Sequence, residues 1–191
     1  MTLTLTLKTP IWWMMSKKSS KPKILLDCDV IIHFIKAGKQ FVLPKIFPNQ
    51  LVVLDKVKSE LDKRKSNQLI INNFLEWSKI PIVPMPSDMD ILREYMVLKK
   101  NKGEGEAACM AVARYTKDYI ASSNLKDIAD YCSEHGIVYF TTMDILFEAY
   151  KLGIMNEAEC DQFIYEVKSK GSILINSINT IKEYKVLIEK K

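Results

Sequence analysis

Two histidines and four cysteines are all that this 191-residue chain offers in nitrogen and sulfur ligands. His33 and His135 are too few and too scattered for most histidine-ligated metal chemistry, and they read as structural or surface residues. Cys28, Cys109, Cys132 and Cys160 stand singly, with no CxxC and no nearby histidine pair, so neither a zinc site nor a disulfide framework is indicated. A reduced, cytoplasmic setting is the expectation. No apolar run approaches the ~18 residues of a membrane span, and no membrane partner is expected. The opening MTLTLTLKTPIWWMM lacks a basic start, a long apolar core and a small-residue cleavage site, and makes a poor secretory signal. If the protein has a metal site, it is built from oxygen.

The chain is 48% hydrophobic and 27% charged, near the globular average, and its length fits one domain. Residues 1–22 differ from the rest: an alternating Thr/Leu stretch, Trp12 and Trp13, then the polar run SKKSSKPK. They are expected to form a mobile extension, with Met15 as an alternative start. From Lys23 onward short apolar runs alternate with helical patterns. The runs are Lys23 to Leu26, Leu51 to Leu54, Ile80 to Val83, Tyr119 to Ser122 and Ile137 to Phe140. Pro81 and Pro84 demote the third towards a sheet edge. Helices are expected over Val30–Lys36, Lys56–Lys65, Asp88–Lys99, the alanine-rich Glu106–Tyr115, Leu125–His135 before Gly136, Asp144–Leu152 before Gly153, and Asn156–Lys168 before Gly171. This alternation is the mark of βαβ units. The expected fold is α/β: one domain over 23–170 with a mostly parallel central sheet and helices on both faces, a three-layer α/β/α arrangement. Residues 171–191 extend the same domain, with a further strand at Ser172 to Ile175 and a short basic helix.

The informative feature is where polar residues fall. The first run ends in Asp27, with Asp29 two residues on; the fourth ends in Ser122, Ser123 and Asn124, with Asp127 beyond; the fifth ends in Thr141 and Thr142, then Asp144. In open parallel sheets ligands bind at the carboxyl ends of the strands, so three strands deliver these groups to one edge. Glu60 lies in the helix after the second run, and Glu104 and Glu106 bracket Gly105 at the start of the alanine-rich helix. Several carboxylates without histidine or cysteine repel one another, and a hard dication relieves that repulsion; oxygen ligands select magnesium or manganese over zinc. Lysines cluster at Lys36, Lys39 and Lys45, at Lys56 to Lys65, and at Lys99, Lys100 and Lys102, and the net charge is +5. An acidic pocket in a basic surface suits a polyanion.

LLDCDVIIHF, VVLDKVKSEL, GEGEAACMAVAR, ASSNLKDIADYC and FTTMDIL resemble, in that order, the signature segments of the PIN-domain superfamily, over about residues 23–155. The resemblance implies a parallel sheet flanked by helices and metal-dependent cleavage of single-stranded RNA. It implies that Mg2+ or Mn2+ is held by Asp27, Glu60 and Glu106, with Asp29 in support. Asn124 stands where several members have Asp, and Asp127, one turn later, substitutes or assists. Ser123 and Thr142 would orient water or phosphate, and Asp144 lies near the pocket. Many members are toxins with an antitoxin partner, and a homodimer is a further expectation.

Each residue also has a structural reading. Asp27 and Asn124 fit as N-caps of the helices that follow them, and for Thr142 the cap is the preferred reading. Glu60 in a charged run fits a solvated helix face, as the lysines do, and Glu104 fits a surface charge. Two rival functions stand beside the ribonuclease. One is a PIN module that binds RNA or a protein without cutting. The other is a haloacid-dehalogenase-like phosphatase, suggested by LLDCDV but lacking the expected Thr at Val30, the strand-end Lys and the late acidic pair.

Overall fold

The computed structural model describes residues 21–175 and 177–190. The expected extension over 1–22, with its Trp pair, lies outside them apart from Lys21 and Pro22. Strand β1 (Ile24–Leu26) leads into helix α1 (Cys28–Lys36). After a 3-10 turn comes α2 (Leu43–Ile46), then β2 (Leu51–Leu54), α3 (Asp55–Asp62) and α4 (Gln68–Ser78). The chain continues through β3 (Ile82–Val83), α5 (Met89–Leu98) and α6 (Glu104–Thr116). It ends with β4 (Tyr119–Ala121), α7 (Leu125–His135), β5 (Tyr139–Phe140), α8 (Thr142–Lys151), α9 (Glu157–Ser169) and α10 (Ile181–Glu189).

The strands order as β3-β2-β1-β4-β5, and every pairing is parallel. The chain winds outward from β1 through β2 to β3, then returns to the other side of β1 to lay down β4 and β5. That reversal makes the carboxyl ends of β1 and β4 the switch point of the sheet, where crossovers leave in opposite directions and open a crevice. Helices cover both faces, as the continuous burial of β1 and β2 requires of a parallel sheet. β3 is an edge strand, in keeping with its flanking prolines.

Small side chains set the closest approach. Ala107, Ala108, Cys109, Ala111 and Ala113 are buried, and α6 packs on β1, β2, β4, α3 and α5. At Gly105 a Cβ atom would lie 3.1 Å from the Val57 Cα, so α3 and α6 meet where any side chain would push the helices apart by a few tenths of an ångström. The other layer joins α1 to α9, with the Phe34 and Phe163 rings edge to face at 4.7 Å, and α9 joins α8 and α10.

Two differences from the sequence reading stand out. Ser172 to Ile175 do not form a strand: Lys36 Nζ, which also donates to the Lys170 carbonyl, donates to Ser172 Oγ at 2.8 Å, tying the segment to α1 instead of a sheet edge. Helix α4 has no counterpart among the helices expected from the sequence, although Ile71, Phe74 and Leu75 form its buried face at helical spacing. No helix among the described residues is long and apolar enough to cross a membrane.

Candidate functional site

The switch point is held shut at its base by one ladder bond, the Asp27 N–H donating to the Ala121 carbonyl at 2.9 Å. Asp27 closes β1 and caps α1, its Oδ1 accepting the Cys28 N–H at 2.7 Å. It is 6% exposed, and burial holds its carboxyl well above the usual range, with Asp29 and Glu106 adding like-charge repulsion. Asp29 is raised too, chiefly by burial, against the pull of its hydrogen bonds: Oδ2 accepts the Ser123 N–H at 2.7 Å and the Ser122 hydroxyl at 3.4 Å.

Glu106 enters from the first turn of α6, 7% exposed, and its carboxyl is pushed up to about 7 by burial and by Asp127. Asn124, from the loop after β4, donates its side-chain amide both to Glu106 Oε1 at 3.1 Å and to Asp127 Oδ2. Asn124 does hold the N-cap position of α7, as the cap reading has it, but it makes no side-chain cap bond. Its amide nitrogen donates to the two carboxylates. Asp127 is held low by the Lys102 ammonium, 3.2 Å away, and by Asn124.

Glu60 stands apart from this group. Its Oε2 accepts the Gly105 N–H at 3.0 Å, satisfying one of the unpaired donors at the start of α6, and its charge acts on Cys28. Beside it, half-buried Glu104 accepts from Lys63 at 3.0 Å and pairs with Lys99 at 2.7 Å. Three lysines, Lys63, Lys99 and Lys102, thus gather on acids around the α6 N-terminus, next to the buried carboxyls.

The third strand end works differently from the sequence reading. Thr141, not Thr142, caps α8: its hydroxyl accepts the Asp144 N–H while Asp144 Oδ2 accepts the Thr141 N–H, a capping box. Thr142 is the first helical residue, fully buried, and its hydroxyl meets Ser123 Oγ at 2.6 Å and His33 Nδ1 at 2.8 Å. Asp144 is committed to this cap and to the Tyr184 hydroxyl at 2.8 Å, which fastens α10 to α8. His33, read from sequence as structural or surface, lies behind the crevice and joins it through Thr142. The apolar run VIIHFIK carries no signal of that partnership.

The residues implied for Mg2+ or Mn2+ can be tested on this geometry. Asp27, Asp29 and Glu106 influence one another, yet among the described residues no three His, Cys, Asp or Glu side chains stand close enough to hold one ion. Asn124 points its two N–H donors at the carboxylates where a cation would have to sit, and Lys102 neutralises Asp127. This arrangement does not fit a divalent cation. The buried thiols of Cys28 and Cys109, both raised by burial, supply no ligand anion either. What the crevice offers is a row of hydrogen-bond acceptors with a lysine margin. No protein-family model matches the chain, and no curated protein matches it.

Proposed function

We propose that this chain is a non-catalytic PIN-type module that binds single-stranded RNA across the crevice at the ends of β1 and β4. The observation that carries the reading is Asn124. Its amide donates to both Glu106 and Asp127 and so eases the repulsion that a metal ion would otherwise relieve. Lys63, Lys99 and Lys102 at the margin suit phosphates, and the carboxyl oxygens inside suit donors such as ribose 2′-hydroxyls and exocyclic amines. The net charge of +5 supports a polyanionic ligand. The reducing cytoplasm is the proposed setting, in line with four unpaired, buried cysteines.

One observation favours a second reading, a Mg2+- or Mn2+-dependent ribonuclease. Asp27, Asp29 and Glu106 are all raised in one crevice, and a side-chain rearrangement that freed them from their internal donors would give an ion several oxygen ligands. The antitoxin partner and the homodimer belong with that reading.

Fluorescence anisotropy of an end-labelled single-stranded RNA, in EDTA and then in excess Mn2+, separates the two, with the RNA run on a denaturing gel afterwards. The module reading expects saturable binding in EDTA, weakened by added salt, and intact RNA in both conditions. Cleavage in Mn2+ that Asp27→Asn abolishes establishes the nuclease instead, and absence of binding in either condition refutes both.

A further inference from the structure

His33 is the one buried residue of α1 that brings a polar side chain to the core, 5% exposed, and it meets another buried polar group. Its Nδ1 lies 2.8 Å from Thr142 Oγ1, which lies 2.6 Å from Ser123 Oγ. Ser123 Oγ accepts the Thr142 N–H at 2.8 Å, and the Ser123 N–H donates to Asp29 Oδ2 at 2.7 Å. Three elements separated widely in sequence are thereby fixed to each other: mid-α1, the loop after β4 and the first residue of α8.

One arrangement of the hydrogens satisfies all of these contacts. In it Ser123, whose Oγ already accepts the Thr142 N–H, gives its hydroxyl proton to Thr142 Oγ1. Thr142 then has one proton of its own and, among the described residues, His33 as the remaining side-chain partner. A buried hydroxyl proton left without an acceptor costs ~1–3 kcal/mol, so the consistent arrangement has Thr142 donating to an unprotonated Nδ1 and the histidine proton on Nε2. Burial, aided by Lys36, lowers His33 to about 4, which keeps that lone pair available at neutral pH.

We infer that His33 is a positioning residue of the crevice: by accepting from Thr142 it sets the direction of the Thr142–Ser123 hydrogen bonds and holds the Ser123–Asn124 loop against Asp29 and Glu106. Without that acceptor, Thr142 has to turn its proton toward Ser123, the two hydroxyls compete, and the loop that aims Asn124 loosens. The inference rests on the RNA-binding reading for one of its measurements only.

The test uses the full chain labelled with 15N. Long-range 15N–1H correlations of His33 are expected to show the Nε2–H tautomer. Thr142→Val, which keeps the shape and removes the hydroxyl, and His33→Phe are each expected to speed Ser123 amide exchange and weaken RNA binding about tenfold, the worth of one buried hydrogen bond. His33→Asn, whose amide oxygen can accept from Thr142, is expected to recover both to within about threefold. A protonated Nδ1 overturns the inference, and so does Thr142→Val with Ser123 exchange unchanged in a cooperatively folded protein. If the unaltered chain binds no RNA, the proposed function falls, while the tautomer and the exchange rate still decide the role of His33.

Discussion

Glu104 and Glu106 stand two residues apart on the first turn of one helix and behave as opposites. Glu104 is half-buried at the solvent margin, shared between Lys99 and Lys63, and its carboxyl is drawn down to about 2. Glu106 is buried among acids and is pushed up to about 7. Both receive whatever the α6 dipole contributes, so the dipole does not account for the contrast. Solvent and neighbours do. The residue between them, Gly105, lets α3 lie close and leaves its N–H to Glu60, while Glu106 turns to Asn124. One turn of helix thus divides an ion-paired outer margin, suited to phosphate, from an inner row of reluctant acids.

The largest break in this comparison comes from filling the gap. Gly105→Val places atoms against the Val57 backbone and Glu60, and is expected to cost about 3 kcal/mol in urea unfolding as α3 and α6 separate. Next is Glu106→Gln. A carboxyl raised in the folded state binds more protons there than when unfolded, so its stabilising effect is complete below about pH 4.5 and is lost as pH rises to about 7. The glutamine variant lacks this loss and is expected to be more stable than the parent by ~1–2 kcal/mol at pH 8, with the gain vanishing by pH 4.5. Urea midpoints at the two pH values check it. Glu60→Ala removes the acceptor for the Gly105 N–H and is expected to cost ~1 kcal/mol without changing the Glu106 titration followed by 13C NMR. The smallest effect is at Glu104: Glu104→Gln breaks two exposed ion pairs, and the melting temperature is expected to stay within experimental scatter.

The sequence carried the sheet because its strands are buried on both faces and read as short apolar runs between helices. It also carried the convergence of Asp27, Asp29 and Glu106, since a polar residue that ends a buried strand has few other places to be. Pairings decided by one rotation or one residue of register were out of reach. Thr141 and Thr142 are adjacent and alike, and only the start of α8 settles which one caps and which one turns inward to His33. Asn124 has a cap's position, but its sequence context does not show that its amide nitrogen lies within reach of both Glu106 and Asp127, charged acceptors that make strong hydrogen bonds. Glu60 fits the spacing of a ligand and serves α6 instead. The stretch Ser172 to Ile175 has strand composition, yet Leu174 alone is buried and a lysine from α1 holds its start.

On the proposed function, the protein's own donors, Asn124 first among them, do in this crevice what a cation would do. The most direct measurement follows the Asn124 side-chain NH2 resonances of the 15N-labelled chain during a Mg2+ titration at neutral pH. Both signals are expected to keep their positions up to a large excess of the ion. A saturable shift complete near one equivalent, lost in Asp27→Asn, would show instead that the crevice takes the cation.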